Sequence, residues 1–390
     1  MTNIETAVAA ILPDERGSVS SGQRIVAVRQ YTMRLVEDLG ALPGAAPSFR
    51  GKIGGQTVLE LESSDGWRGI APGIDPASLR FARDHLVGET IFPLSKHIAL
   101  LENPGSGASG RDVASIEIAL WDIVGQSLGQ PLFRLWGGDD PKVLGYGSTI
   151  GRGASVEERV DLARLIFAEG WKAIKLRPHW ETVADDIRLV SDVRQATSSE
   201  FVILCDANQA RGQNLSGISW DLERASQTAE AYHELSVGWL EEPLKRGAYR
   251  ELAALSTRSK VPLAGGENNV ILDDFRNYAV NSCYSYWQPE VMLVGPSRMF
   301  KIAALAEAFN VKFVPHEGYQ SLGTVCQIHI SAALKSPYVE ILHNPPVSTF
   351  ENSMFCYADA PVLTKDGYIQ LSGKPGLGVS LRRDLIDTEH

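Results

Sequence analysis

Asp206, Glu241 and Glu267 each stand where a strand-like run gives out: Phe201-Val-Ile-Leu-Cys, Val237-Gly-Trp-Leu and Pro262-Leu-Ala-Gly-Gly. A helical stretch follows each acid. Side chains at the C-terminal ends of neighbouring parallel strands converge on one spot, and three carboxylates there repel unless a hard cation such as Mg2+ holds them. The spacing points to a metal-centred barrel enzyme. His316 ends the run Lys312-Phe-Val-Pro and would face Glu290 from the preceding strand. A carboxylate on one imidazole nitrogen fixes the tautomer and raises basicity, so such a pair can move a proton to and from carbon or to a leaving hydroxyl. In Lys175-Leu-Arg177, alternation aims both cations into the barrel mouth. Arginine stays protonated, so Arg177 suits clamping a carboxylate or oxyanion, while Lys175 could bind carboxylate or donate a proton if Arg177 and the metal depress its pKa.

The elements that must position these groups can be read along the chain. From about Val143, strand-then-helix units recur eight times, at Leu144, Ala173, Val202, Gly238, Leu263, Tyr286, Lys312 and Tyr338, which suggests a TIM-type barrel. Ser155-x-x-Glu158 is a capping box, and the helix it opens stops at Gly170. Gln209 to Gly217 is longer and more polar than the other βα connections, which marks an insertion at the active-site face. Upstream, Ile25-Val-Ala-Val and Thr57-Val-Leu-Glu-Leu-Glu alternate as antiparallel strands do. A helical block follows through Val113, Ile116, Ala119, Leu120 and Ile123 and closes at Leu135-Trp-Gly-Gly138. The fold class is therefore α/β, with an N-terminal α+β domain at 22–138, a TIM-type barrel at 139–354, and a C-terminal segment at 355–390 that returns to short strands and turns. Pro375-Gly-Leu-Gly378 reads as a fixed loop, and the first 20 or so residues lack a clear pattern.

Composition narrows the function classes. The chain of 390 residues is 44% hydrophobic and 22% charged, enough for a large core, and its formal charge of -10 argues against a nucleic-acid or anionic-membrane surface. Cys205, Cys283, Cys326 and Cys356 show no metal-type spacing, and no N-terminal apolar signal or long apolar span is present. A reducing cytoplasm is the expected location.

Taken in order, Lys175-x-Arg177, Asp206-Ala-Asn208, Glu241-Glu-Pro243, Gly266-Glu267-Asn268, Gln288-Pro-Glu290, His316 and Glu340 resemble the mandelate racemase subgroup of the enolase superfamily. Ile116-Glu-Ile-Ala-Leu-Trp-Asp-Ile, Gly129-Gln-Pro-Leu and Leu135-Trp-Gly-Gly look like that family's junction between capping domain and barrel. The resemblance runs from about Arg24 to the C-terminus. It implies that the N-terminal domain is a capping domain, to which the C-terminal segment returns, over a (β/α)7β barrel. It also implies one Mg2+ held by Asp206, Glu241 and Glu267, and removal of the proton α to a substrate carboxylate. Since adjacent strand residues face opposite ways, Glu241 and not Glu242 is expected at the metal. The family usually has Asp where this chain has Glu290, and Lys-x-Lys, with the second lysine as base, where it has Lys175-x-Arg177.

Loss of that second base disfavours a racemase, which needs acid/base groups on both faces of a carbanion. A dehydratase needs one base and an acid for the leaving hydroxyl, roles that one histidine can combine. Dehydration of a sugar acid or related polyhydroxy acid to a 2-keto-3-deoxy acid is the favoured activity. An epimerase or racemase, a lactone cycloisomerase and a catalytically silent sugar-acid binder are the alternatives. Substrate contacts are expected from Asn208, His179 and Tyr146, from Glu340 in its protonated form, and from Arg50 and Lys52 in a capping loop between Ala41 and Gly55. The expected partner is a small carboxylate in a homo-oligomeric enzyme, with no nucleic acid or membrane.

Overall fold

The computed structural model describes residues 23–42, 50–151, 153–319 and 321–390. The first 22 residues and 43–49, the tip of the expected capping loop, lie outside the described residues.

Alternation along the N-terminal part yields antiparallel strands: β1 (Ile25–Met33), β2 (Leu35–Ala41), β3 (Arg50–Gly54), β4 (Thr57–Ser63) and β5 (Arg68–Pro72). β1, β4 and β5 are neighbours in one sheet, while β2 and β3 form a separate hairpin. The helix Gly110–Ser127 packs on this sheet, opened by a reciprocal Ser109–Asp112 capping box. Gly69 of β5 lets it approach closely, for a Cβ there would stand 1.9 Å from the Ala119 carbonyl oxygen. The helical block does not run unbroken to Gly138. It stops at Ser127 and resumes as Leu132–Leu135, because Gly129 takes φ +64° and Pro131 cannot continue a helix.

The eight expected barrel strands are all present: β6 (Lys142–Ser148), β7 (Ala173–Leu176), β8 (Val202–Asp206), β9 (Val237–Glu241), β10 (Leu263–Gly265), β11 (Tyr286–Trp287), β12 (Lys312–Phe313) and β13 (Val339–Leu342). β6 through β12 pair in chain order, all parallel, and β13 returns to pair with β6. Side chains bridge the seam between β12 and β13. The Ser336 hydroxyl lies 2.9 and 2.7 Å from the Phe313 and Tyr338 carbonyls, and Gln327 Nε2 donates to Pro315 and Glu340 carbonyls at 3.4 Å each. Tyr146, Leu204, Trp239, Ala264, Tyr286 and Val314 fill the barrel interior as a packed layer. The Ser155 capping box forms, and Gly170 takes φ +104° after its helix.

The C-terminal segment divides its pairing. β14 (Tyr357–Ala358) pairs with β17 (Ser380–Leu381), and β15 (Val362–Leu363) pairs with β16 (Tyr368–Gln370), which lies antiparallel to barrel strand β6. β18 (Ile386–Glu389) joins β1 in the N-terminal sheet. The loop at 375–378 is held from both sides: Leu377 N–H donates to Asp122 Oδ1 at 2.8 Å, and its carbonyl lies 3.0 Å from His329 Nε2. Among the described residues no helix is long and apolar enough to cross a membrane.

Candidate active site

Asp206 closes β8 and Glu241 closes β9, and the two are register partners. Glu267 follows β10 after Gly266, whose φ of +116° turns the chain so that the acid joins the other two. One oxygen from each of the three carboxylates lies within 4.8 Å of the others. An all-oxygen, three-carboxylate donor set, two of its acids buried and Glu267 partly so, suits a hard divalent cation such as Mg2+.

Two cations from β7 meet these acids. Lys175 Nζ lies 3.0 Å from Glu241 Oε1 and 2.7 Å from Glu340 Oε1, fully buried. Burial disfavours its ammonium, but Glu241 and Glu340 outweigh burial, so its pKa sits above the ordinary lysine value and not below it. Of the two roles open to Lys175, this direction favours binding a carboxylate over donating a proton. Glu340 shows the converse: burial is outweighed by Lys175 and His316, which hold its carboxyl below the ordinary glutamate range. Its Oε2 accepts from Glu317 N–H at 3.1 Å.

Arg177 is tied by its own protein. Nε donates to the Thr149 carbonyl at 2.8 Å, and Nη1 donates to Asp206 Oδ2 and, at 3.0 Å, to Asn208 Oδ1. Asn208 in turn donates to Asp206 through its backbone N and its Nδ2, each at 2.8 Å. Burial and the adjacent Glu241 still push the Asp206 carboxyl up to about 7, against the pull of Arg177 and Lys175. Trp239 Nε1 and Gln288 Nε2 donate to Glu241 Oε2 at 3.1 and 2.8 Å.

His316 sits between two acids, with Nδ1 3.1 Å from Glu290 Oε2 and Nε2 3.0 Å from Glu267 Oε2. Burial would lower its pKa, but Glu267 and Glu340 reverse this and raise it well above the usual value. His316 in return holds the buried Glu267 below the ordinary carboxylate range. A cavity of about 210 Å3 opens onto Arg177, Asn208, Glu267 and His316.

The remaining expected contacts divide. His179 is buried with Nε2 3.0 Å from Asn208 Oδ1, behind the cavity wall. Tyr146 does not line the cavity. It lies two residues before the end of β6 and so one layer deeper, under Lys175, whose Nζ is 5.7 Å from its ring centroid. Arg50 and Lys52 are also elsewhere: in β3 they face Asp38 of β2, and Arg50 Nη2 lies 2.9 Å from Asp38 Oδ2. They border a different hollow, with Thr349 and Asn352.

Sequence reasoning missed Glu242, Arg211 and Arg246, which all line the cavity. Strand alternation turned Glu242 away, but its backbone leaves β9 in the left-handed region, at φ +43°, and the side chain returns to the cavity wall. Trp239 was legible, being two residues before Glu241 on the same strand face. No local signal marked Arg246.

A model of the Enolase C-terminal domain-like family matches residues 158–385. An arabinonate dehydratase from Saccharolobus solfataricus is 24% identical over 355 residues, covering 85% of this chain and 89% of that protein. The solved 3,6-anhydro-D-galactonate cycloisomerase from Zobellia galactanivorans superposes with a TM-score of 0.76 at 21% identity, covering 94% of this chain and 100% of the other. L-talarate dehydratase from Polaromonas sp. JS666, complexed with Mg and L-glucarate, superposes with a TM-score of 0.75 at 23% identity, covering 94% and 98%. With the strand-end acids in place on a barrel of this topology, the chain belongs to the enolase superfamily, in its mandelate racemase subgroup.

Proposed function

We propose that the protein is a lyase that removes the proton α to the carboxylate of a sugar acid and expels the β-hydroxyl, giving a 2-keto-3-deoxy acid. One observation carries this reading: among the described residues His316, which follows β12, is the one imidazole on the cavity, whereas β7, three strands away round the barrel, contributes a buried lysine and an arginine, each paired with acids, and no second base. One base on one face suits elimination, while inversion at carbon requires a second base.

Asp206, Glu241 and Glu267 would hold Mg2+, as the neighbour solved with Mg and the donor set both support. A cation there supplies positive charge against the second negative charge that proton removal puts on the substrate carboxylate. His316 takes the α-proton at Nε2 while Glu290 holds Nδ1, and the resulting imidazolium returns a proton to the departing β-hydroxyl. Lys175 and Arg177 keep their positive charge and hold Glu241 and Asp206 in place. Arg177 also borders the cavity, where its charge favours a carboxylate ligand.

The test is a screen of acid sugars with Mg2+, read by 2-keto-acid formation and by solvent deuterium at the α-carbon. Keto acid formation that is lost in His316→Asn together with α-exchange is the expected result. Deuterium incorporation with epimerisation and no keto acid would replace the lyase with an isomerase, and the absence of both would leave a binder.

A further inference from the structure

The relatives are named for both kinds of sugar acid, with one carboxylate as in arabinonate or two as in talarate, so likeness leaves the far end of the substrate open. The cavity wall is more specific. Beyond the strand ends, the loop after β8 brings Arg211 and Gln213 to it, and the loop after β9 brings Glu242 and Arg246. The two loops are stitched together at the base of the arginines, for Arg246 N–H donates to the Ala210 carbonyl at 3.0 Å.

Arg246 presents an unusual edge. Its Nε and Nη2 are shielded from solvent and meet no hydrogen-bond acceptor among the described residues. The closest carboxylate, Glu242, has Oε1 3.8 Å from Nη2, an ion-pair distance beyond hydrogen-bond reach. Guanidinium donors without acceptors are costly, and because the side chain lines the cavity and is 29% exposed, a turn of the guanidinium toward the cavity offers its Nε–Nη2 fork to a carboxylate, which satisfies it with two parallel bonds. A neutral sugar hydroxyl offers one oxygen and leaves the fork half filled. Arg211 adds a second positive charge, so two arginines face one glutamate on this part of the wall.

We propose that Arg246, supported by Arg211, receives the second carboxylate of a sugar diacid, so that the preferred substrates are aldarates and not aldonates. The inference rests on the proposed function for the placement of the α-carboxylate at the three-acid end.

The experiment compares six-carbon aldarates with aldonates of the same configuration, galactarate with galactonate and glucarate with gluconate among the full set. Full-length protein with Mg2+ is used, and binding is measured by calorimetry alongside turnover. The tightest ligand should be an aldarate, favoured at least tenfold over its aldonate. Arg246→Gln should reduce that preference at least tenfold, and Arg211→Gln, in the exposed loop, should reduce it by less. An aldonate as the tightest ligand, no aldarate binding, or an equal loss for both classes in both variants overturns the proposal. Aldarate binding with Arg246-dependent preference but neither keto acid nor α-deuteration defeats the lyase reading and leaves this one standing. Keto acid formed from an aldonate alone does the reverse.

Discussion

Glu290 and His316 are joined through one carboxylate oxygen: Oε2 lies 3.1 Å from His316 Nδ1 and also accepts from Gly318 N–H at 2.6 Å. The other oxygen accepts from Met292 N–H at 3.0 Å at the start of a short helix. The extra methylene, relative to the aspartate usual in the family, is thus spent on anchoring the carboxylate to two backbone amides.

Glu290→Gln should lower kcat by about 10²-fold if the pair shares a proton-transfer role. The hydrogen bond that His316 donates to Glu290 raises the imidazole pKa, so its loss moves the acid limb of the kcat/KM profile to lower pH. A limb that stays in place, measured over pH 4–9 (roughly the span around a histidine), would detach Glu290 from the base.

Glu241 is a second point of test, because it serves the buried lysine as well as the candidate metal site. Glu241→Ala leaves Lys175 with Glu340 alone and strips the acceptor from Trp239 and Gln288. Removing one partner of a buried ion pair costs about 3–5 kcal/mol. Denaturant unfolding without Mg2+ should show a loss of that size, and Glu267→Gln, which removes the charge paired with His316 but keeps a hydrogen-bonding group of the same size, should show a smaller one. Wild type should also gain thermal stability with added Mg2+, and Glu267→Gln should lose most of that gain.

Much of this architecture was legible because strand and site share one periodicity. Asp206, Glu241 and His316 end or follow runs whose direction alternation fixes, so converging on one face followed from topology. What failed lay where the backbone departs from the strand. Glu242 stays outside the three-acid group, as alternation predicts, but its left-handed backbone brings it to the cavity wall, and Tyr146 obeys alternation but sits a layer too deep. Arg50 and Lys52 depend on their hairpin, for only pairing of β3 with β2 sets Asp38 opposite Lys52 and within 2.9 Å of Arg50. Arg246 reaches the cavity through a contact between two loops distant in sequence, which no local pattern encodes.

A pH test away from the site concerns His329. Buried and neutral, it accepts from Phe133 N–H at Nδ1 (3.1 Å) and donates from Nε2 to the Leu377 carbonyl (3.0 Å), and burial lowers its pKa from 6.5 to about 4. Between those values the unfolded chain binds a proton that the folded chain refuses, so this contribution is present above pH 6.5 and is lost as pH falls to about 4. Its full size is roughly 3 kcal/mol. Asp122, on the helix Gly110–Ser127 and bonded to the same loop, is raised to about 6 by burial and titrates with the opposite sign, so the comparison must be differential. The stability of wild type minus that of His329→Gln should rise with pH across the window, and a flat difference would refute the buried neutral histidine.

Arg177→Lys probes the residue that most separates this chain from the family's usual pattern. Its guanidinium reaches Thr149, Asp206 and Asn208 at once, a span that planar geometry permits and a single ammonium does not. Lysine there keeps the charge but should lose at least one charge-assisted hydrogen bond, about 2–3 kcal/mol, which corresponds to roughly 30- to 150-fold in kcat/KM. Asp206 would be held less firmly, so the Mg2+ dependence of thermal stability should shift as well. If Arg177 instead occupies the position of a lost second base, lysine would restore that base and bring α-epimerisation. Elimination and α-deuterium exchange measured together separate the two, and gained epimerisation with elimination intact would contradict a fixed cation. The expected outcome is weakened elimination with no epimerisation, because Lys175 and Asp206 beside the new amine would keep it in the same crowded, charge-paired wall that now holds the guanidinium.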